Sequence, residues 1–160
     1  MDDSALQFRA ATISDLPRLV AMLTDDPLGA TRECAAMPLD ARYRRAFAAI
    51  DRDPNNELIV AERDGAIVAM LQLTLIPNLS RCGMWRAQIE GVRVARSARS
   101  QGVGQALLAW AMARARDAGC GLVQLTTDKA RPDAHRFYER LGFVASHEGL
   151  KLTLQEGQAR

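Results

Sequence analysis

The residues best suited to chemistry lie in one stretch, Glu90 to Leu108, reading EGVRVARSARSQGVGQALL. At its centre stands Arg99-Ser100-Gln101-Gly102-Val103-Gly104, an arginine followed by two polar residues and two spaced glycines. Upstream, Ile89, Gly91, Val92 and Val94 give the alternating pattern of a strand. Downstream, Val103, Leu107, Leu108, Ala111, Ala115 and Ala118 recur at the spacing of an amphipathic helix. A loop of this composition sets its glycines at the first turn of that helix, where backbone N–H groups lack partners and the helix dipole is positive. Such a turn binds anions. Glycines at 102 and 104 let the backbone approach a bulky guest, and Arg99 adds a permanent cation. The expected guest is a phosphate or pyrophosphate. A dinucleotide fingerprint fails here, because Leu107 stands where its third glycine would be.

Other candidates carry two readings each. Glu90, near the middle of the strand, is either a general base or an exposed strand charge. Alkyl amines are mostly protonated near neutral pH, as lysine's reference value of about 10.4 shows, so an amine nucleophile needs such a base, acting through a water. Tyr138 shares a helical face with Ala134 and Leu141, which makes it either a core tyrosine or a proton donor. His135 and His147 are the only histidines, too few and too far apart for a metal site, so no metal is expected. Cys34, Cys82 and Cys120 are odd in number and lack CxxC pairing, which favours reduced thiols in a cytoplasm. None has a histidine nearby that would make it an acyl-carrying nucleophile.

The run Arg99-x-x-Gly102-x-Gly104, after a strand and opening a helix, resembles the acyl-CoA signature of the GNAT superfamily of N-acetyltransferases. Ala134-His135-Arg136-Phe137-Tyr138-Glu139-Arg140-Leu141-Gly142-Phe143 is similar to that family's closing helix and turn. Together they let nearly the whole chain be laid along the family's order of elements. The resemblance implies acetyl-CoA as co-substrate, with the amides of Arg99, Ser100, Gln101, Gly102, Val103, Gly104 and Gln105 around its pyrophosphate. It implies that the backbone of Val92, Arg93 and Val94 pairs with the pantetheine arm, an N–H near Val92 polarising the thioester carbonyl. Strand pairing would be interrupted there, between the central strand and the one expected at Leu122 to Thr127. Tyr138 would protonate the departing thiolate. Family members differ in their base, so Glu90 rests on its own chemistry. Arg131 departs from the pattern, standing where many relatives place an asparagine that touches CoA; a guanidinium there could reach a phosphate instead.

The function so implied is transfer of an acetyl group to a primary amine of a small molecule or peptide, by direct attack within a ternary complex. The alternative is a non-catalytic acyl-CoA-binding module with a sensing or structural role. Nucleic-acid binding through Arg93, Arg96 and Arg99 is the weaker third reading, since cofactor phosphate explains the same arginines. A homodimer is compatible with all of these.

The elements that must hold these residues follow in order. Leu6–Ala11 reads as a first strand, and Thr12 or Ser14 caps a helix carrying Leu16, Leu19, Val20 and Leu23. Asp40 caps a second, carrying Tyr43, Ala46, Phe47 and Ile50. Glu57–Arg63 and Ala66–Ile76 are strands joined by an Asp64-Gly65 hairpin turn. Met84–Val94 is the long central strand, followed by the helix from Gly102 to Ala118. Gly121–Thr127 is a short buried strand. Pro132 opens a last helix and Gly142 closes it. Phe143–Ala145 and Leu150–Leu154 read as a closing antiparallel pair. The expected fold is therefore α/β (α+β), one domain over residues 1–160, its mixed and mostly antiparallel sheet of about seven strands flanked by about four helices.

Composition agrees. At 160 residues, 48% hydrophobic and 25% charged, the chain can bury a sizeable core, and a formal charge of +2 demands no nucleic-acid partner. The opening MDDSALQFRAAT has acids where a secretory leader has bases. No apolar run approaches the roughly 20 residues of a membrane span.

Overall fold

The structure, a computed structural model, describes residues 5–154. The chain divides into two compact units, one reaching Leu125 and one starting at Thr126.

The first unit is built on a mixed sheet whose strands lie side by side in chain order: β1 (Gln7–Ala10), β2 (Asn56–Arg63), β3 (Ala66–Ile76), β4 (Arg86–Val94) and β5 (Leu122–Leu125). The first four are antiparallel neighbours, whereas β5 runs parallel to β4. Local chemistry explains the joins. Asp64 and Gly65 both have positive φ, 53° and 72°, which gives β2 and β3 the tight turn their sequence calls for. The β4–β5 connection is a helical crossover, as a parallel pair requires.

Helix α1 (Leu16–Thr24) follows a short 3-10 turn at Ile13–Asp15. There the Asp15 carboxylate accepts from the Thr12 N–H at 2.7 Å. It also takes two bonds from Arg9, at 2.7 and 3.1 Å, and Arg9 reaches Glu62 on β2 at 2.6 Å. The Arg9 guanidinium and the Thr12 amide hold the Asp15 carboxyl at about 2, well below the usual aspartate value. Helix α2 (Ala41–Arg52) is capped by Asp40, whose carboxylate accepts from the Arg42 N–H at 2.8 Å. Helix α3 (Val103–Asp117) ends where Gly119 turns left-handed, with Cys120 N–H bonded to Ala115 and Gly119 N–H to Arg116.

The helices cover opposite faces. On one, Leu107, Leu108, Ala111 and Ala115 of α3 are fully buried with Leu71, Leu73 and Ile89 of the sheet. On the other, Leu16, Leu19, Val20 and Phe47 of α1 and α2 cluster with Val60 and Met70. Among the described residues, no helix is long and apolar enough to cross a membrane.

The second unit holds α4 (Pro132–Arg140), which starts on Pro132 and stops before Gly142 at φ +90°. Helix positions thus agree with the sequence; four helices of nine residues or more form, with a four-residue helical segment at Ser80–Gly83 whose Arg81 and Cys82 are left-handed. The strand number does not. Five strands form among the described residues, not about seven, because Phe143–Ala145 and Leu150–Leu154 carry no ladder. Leu150, Leu152 and Leu154 are 95%, 84% and 87% exposed. An alternating row becomes a strand only where a neighbouring backbone takes its hydrogen bonds, and that condition is not in the row itself.

Candidate active site

The parallel pairing of β4 with β5 covers Arg86↔Leu122 to Ile89↔Leu125 and goes no further. Beyond Ile89, β4 continues to Val94 with one edge unpaired by any strand among the described residues. At the same point it bulges on its other edge. Gln72 of β3 faces Glu90 and Met70 faces Arg93, so that Gly91 and Val92 together oppose the single residue Leu71. Gly91 sits at φ +62°, a left-handed conformation that glycine adopts at no steric cost.

Which backbone groups face the open edge follows from the pleat. Ala95 N–H donates to Val68 C=O of β3 at 2.8 Å, so Ala95 and Arg93 turn their backbone groups toward β3. Val94 and Val92 turn theirs the other way. Their carbonyls accept from guanidinium groups, Val92 from Arg93 Nη1 at 2.8 Å and Val94 from Arg99 Nε at 3.1 Å. Of the three strand residues expected to meet an extended ligand, Val92 and Val94 therefore present backbone to the gap, while Arg93 is spent on β3.

The loop after β4 has the form of an anion cradle. Ser100 and Gly102 are left-handed, at φ 62° and 75°, with Gln101 between them, an alternation that turns successive N–H groups into one concavity. Gly102 is the N-cap of α3, and the first helical bond runs from Ala106 N–H to Gly102 C=O at 3.0 Å. The N–H groups of Val103, Gly104 and Gln105 precede that bond and point out of the helix end. Gln101 is tethered at both ends, accepting from Arg63 Nη1 and donating to Ser97 C=O, each at 2.7 Å.

Arg99 is less free than its position suggests. Its Nη2 lies 3.4 Å from Asp25 Oδ2 at the end of α1. Arg96 Nε pairs with the same carboxylate at 2.7 Å, and Arg93 Nε is 3.4 Å from Asp26 Oδ2. Two neighbouring aspartates thus anchor three arginines. A cleft of about 450 Å³ opens beside them, lined by Arg18, Met22, Asp25, Ala95, Arg96 and Ser97 among others; it adjoins the loop and does not include Glu90.

Glu90 is exposed, on the sheet face that α1 and α2 share. Its row continues with Gln88 and Arg86 on β4, Gln72 and Thr74 on β3, Asn56 on β2 and Gln124 on β5. The neutral groups bond sideways: Asn56 Oδ1 accepts from Gln72 Nε2 at 2.9 Å and Thr74 Oγ1 at 2.7 Å, and Gln88 Oε1 accepts from Gln124 Nε2 at 2.7 Å.

Tyr138 lies in the second unit, half-buried on α4, its ring 5.3 Å from that of Phe137 and 5.9 Å from that of Phe143. His147 is exposed, its Nδ1 2.8 Å from Ser146 Oγ. Cys34 and Cys82 are exposed free thiols, and burial pushes the Cys120 thiol up, away from the thiolate a nucleophile needs.

Sequence reasoning missed three things. The bulge was signalled by a lone glycine inside a strand pattern. The polar row was signalled by Gln72, Thr74 and Gln88 at alternate positions of otherwise apolar strands. The pairing of Asp25 and Asp26 with arginines seventy residues later left no local mark.

A family model described as Acetyltransferase (GNAT) family matches residues 20–143. The chain belongs to the GNAT acetyltransferase family. It is 41% identical over 105 residues to an aminoalkylphosphonate N-acetyltransferase of Salmonella typhimurium, across 66% of this chain and 68% of that one. A solved transcriptional regulator from Bacillus halodurans C-125 is 55% identical and superposes with a TM-score of 0.91, covering 94% of this chain and 100% of its own. An acetyltransferase of Trypanosoma brucei is 29% identical, with a TM-score of 0.74, covering 94% and 100%. GNAT acetyltransferases draw on acetyl-CoA, and this chain is an N-acetyltransferase of that family.

Proposed function

We propose that the acetyl acceptor is a primary amine and that it attacks acetyl-CoA directly within a ternary complex, both units acting as one transferase domain. The observation that carries this is the split of β4 from β5 at Ile89, just where Val92 and Val94 turn their backbone to the open edge. An amide-bearing arm pairs there as a strand would, its pyrophosphate end directed to the amides of residues 99–105. In this arrangement the Val92 N–H polarises the thioester carbonyl and stabilises the oxyanion that forms.

The remaining steps concern protons. The acceptor ammonium gives one proton to Glu90 through a water, and the freed lone pair attacks the carbonyl carbon. The carbon–sulfur bond then breaks, the Tyr138 hydroxyl protonates the thiolate as it leaves, and the second proton of the attacking nitrogen passes through water to restore that hydroxyl, leaving the neutral amide. A thiol of pKa near 8–9 departs readily, so the hydroxyl's contribution is modest. Burial pushes the Cys120 thiol up, away from the thiolate that an acyl-enzyme needs, which supports direct attack. The Salmonella relative makes an aminoalkylphosphonate the first acceptor to try.

The test is thiol release from acetyl-CoA across small amines, amino acids, aminophosphonates, aminoglycosides, polyamines and peptide N-termini. Turnover with one amine class is expected, with intersecting initial-rate lines when donor and acceptor are varied. Parallel lines would replace direct attack by an acyl-enzyme, and no release with any amine would leave a module that binds acyl-CoA without turnover.

A further inference from the structure

Along the polar row of the sheet, the neutral amides and the threonine hydroxyl satisfy one another. The charged members do not. Arg86 and Glu90 have neither an ion pair nor a side-chain hydrogen bond among the described residues, and Arg86 Nε is shielded from solvent with no hydrogen-bond partner. The other arginines beside the site are committed, Arg93 to Asp26 and Arg96 and Arg99 to Asp25. Arg86 is therefore a half-buried guanidinium on this face with no counter-anion among the described residues.

Its position is defined by the strand. Arg86 and Glu90 share a face because their positions differ by four, and about 13 Å of strand separates their Cα atoms. Between them lies Gln88, held by Gln124 at 2.7 Å and so unable to neutralise either. A negative group and a positive group thus stand at two ends of a short neutral floor.

We propose that Arg86 is a specificity residue that grips a terminal oxyanion of the acceptor, which is accordingly a small amine carrying a phosphonate or carboxylate at its far end. This rests on the reading above that Glu90 marks the end where the amine reacts. The ammonium lies at Glu90 before it loses its proton, and the oxyanion takes the guanidinium fork of Arg86 in a charge-assisted pair. An amine without the anion leaves that fork unmatched and binds more weakly.

Aminoethylphosphonate, β-alanine and propylamine separate the cases, since they share a short chain and differ in the end group. With the full chain and acetyl-CoA, kcat/KM is expected to favour at least one anionic amine over propylamine by 10-fold or more; phosphonate and carboxylate arms show which oxyanion is read. Arg86→Met should erase that preference by raising KM for the anionic amine, with propylamine turnover and the KM for acetyl-CoA unchanged. Arg86→Lys should restore part of it, and Arg86→Gln serves if the methionine variant melts early. Equal losses on propylamine and on the anionic amines, or no preference in the wild type, would overturn the proposal. If no amine releases thiol, the transferase chemistry fails separately, and calorimetry with aminoethylphosphonate in the presence of CoA decides: binding weakened 10-fold or more by Arg86→Met sustains Arg86, and no binding to the wild type removes it.

Discussion

Replacing Gly91 by alanine isolates the cost of the bulge in β4. An added Cβ at this position meets nothing within 4 Å, so no clash contributes. What remains is conformational, because an L-residue must be held at φ +62°. That costs roughly 1–2 kcal/mol for a residue with a Cβ. The strand has little freedom to escape, since Glu90 and Arg93 are paired with Gln72 and Met70 on either side of the bulge. The penalty should thus appear in folding. Urea unfolding of Gly91→Ala is expected to show a loss of about 1–2 kcal/mol, or a few degrees in Tm for a domain this size. Calorimetry on the same preparation should give an acetyl-CoA Kd within about twofold of wild type. An unchanged unfolding midpoint with acetyl-CoA binding weakened tenfold would refute the reasoning, because the strand would then have straightened and taken the donor site with it.

Glu90→Gln is expected to lower kcat by on the order of 10²-fold near neutral pH and by less at high pH, where more amine is already free; a pH–rate profile unchanged in height and shape would return Glu90 to an exposed strand charge. Tyr138→Phe keeps the ring contacts with Phe137 and Phe143, so it should lower kcat while leaving the Tm and the acetyl-CoA Kd nearly constant. Loss of stability and binding together would mark the hydroxyl as structural. Asp15, held at about 2 by Arg9, binds no proton in the folded state until the pH falls well below its unfolded value. Its contribution of roughly 2 kcal/mol is present above about pH 4 and lost as the pH falls toward 2, so Asp15→Asn should flatten that acid limb in urea titrations.

The site's loop was legible because its signal is local. Arg99, Gly102 and Gly104 announce a glycine-opened helix start within six residues, and the left-handed Gly102 at the N-cap is what their types allow. The helices were legible for the same reason: Asp40, Pro132 and Gly119 act on their own turns. Leu150–Leu154 misled because alternation states only that one face is apolar, and the partner backbone must come from elsewhere. Arg99 was half legible. Its charge is in the sequence, but its engagement by Asp25 depends on how α1 ends against the loop after β4. The row from Asn56 to Gln124 shows the same limit, since each residue looks like an isolated polar substitution until the register aligns four strands.

The unpaired edge of β4 also bears on how long the protein lasts. Five residues of strand whose neighbour has departed can be finished by whatever pairs with them; if acetyl-CoA does so as proposed, it acts as a folding ligand as well as a reactant. A ligand present at a hundred times its Kd adds about 2.7 kcal/mol to stability. That is comparable to the whole cost assigned to the bulge. The folded population, and with it resistance to proteolysis, should then rise and fall with the concentration of acetyl-CoA, and a protein starved of its donor would be cleared sooner than one that is saturated.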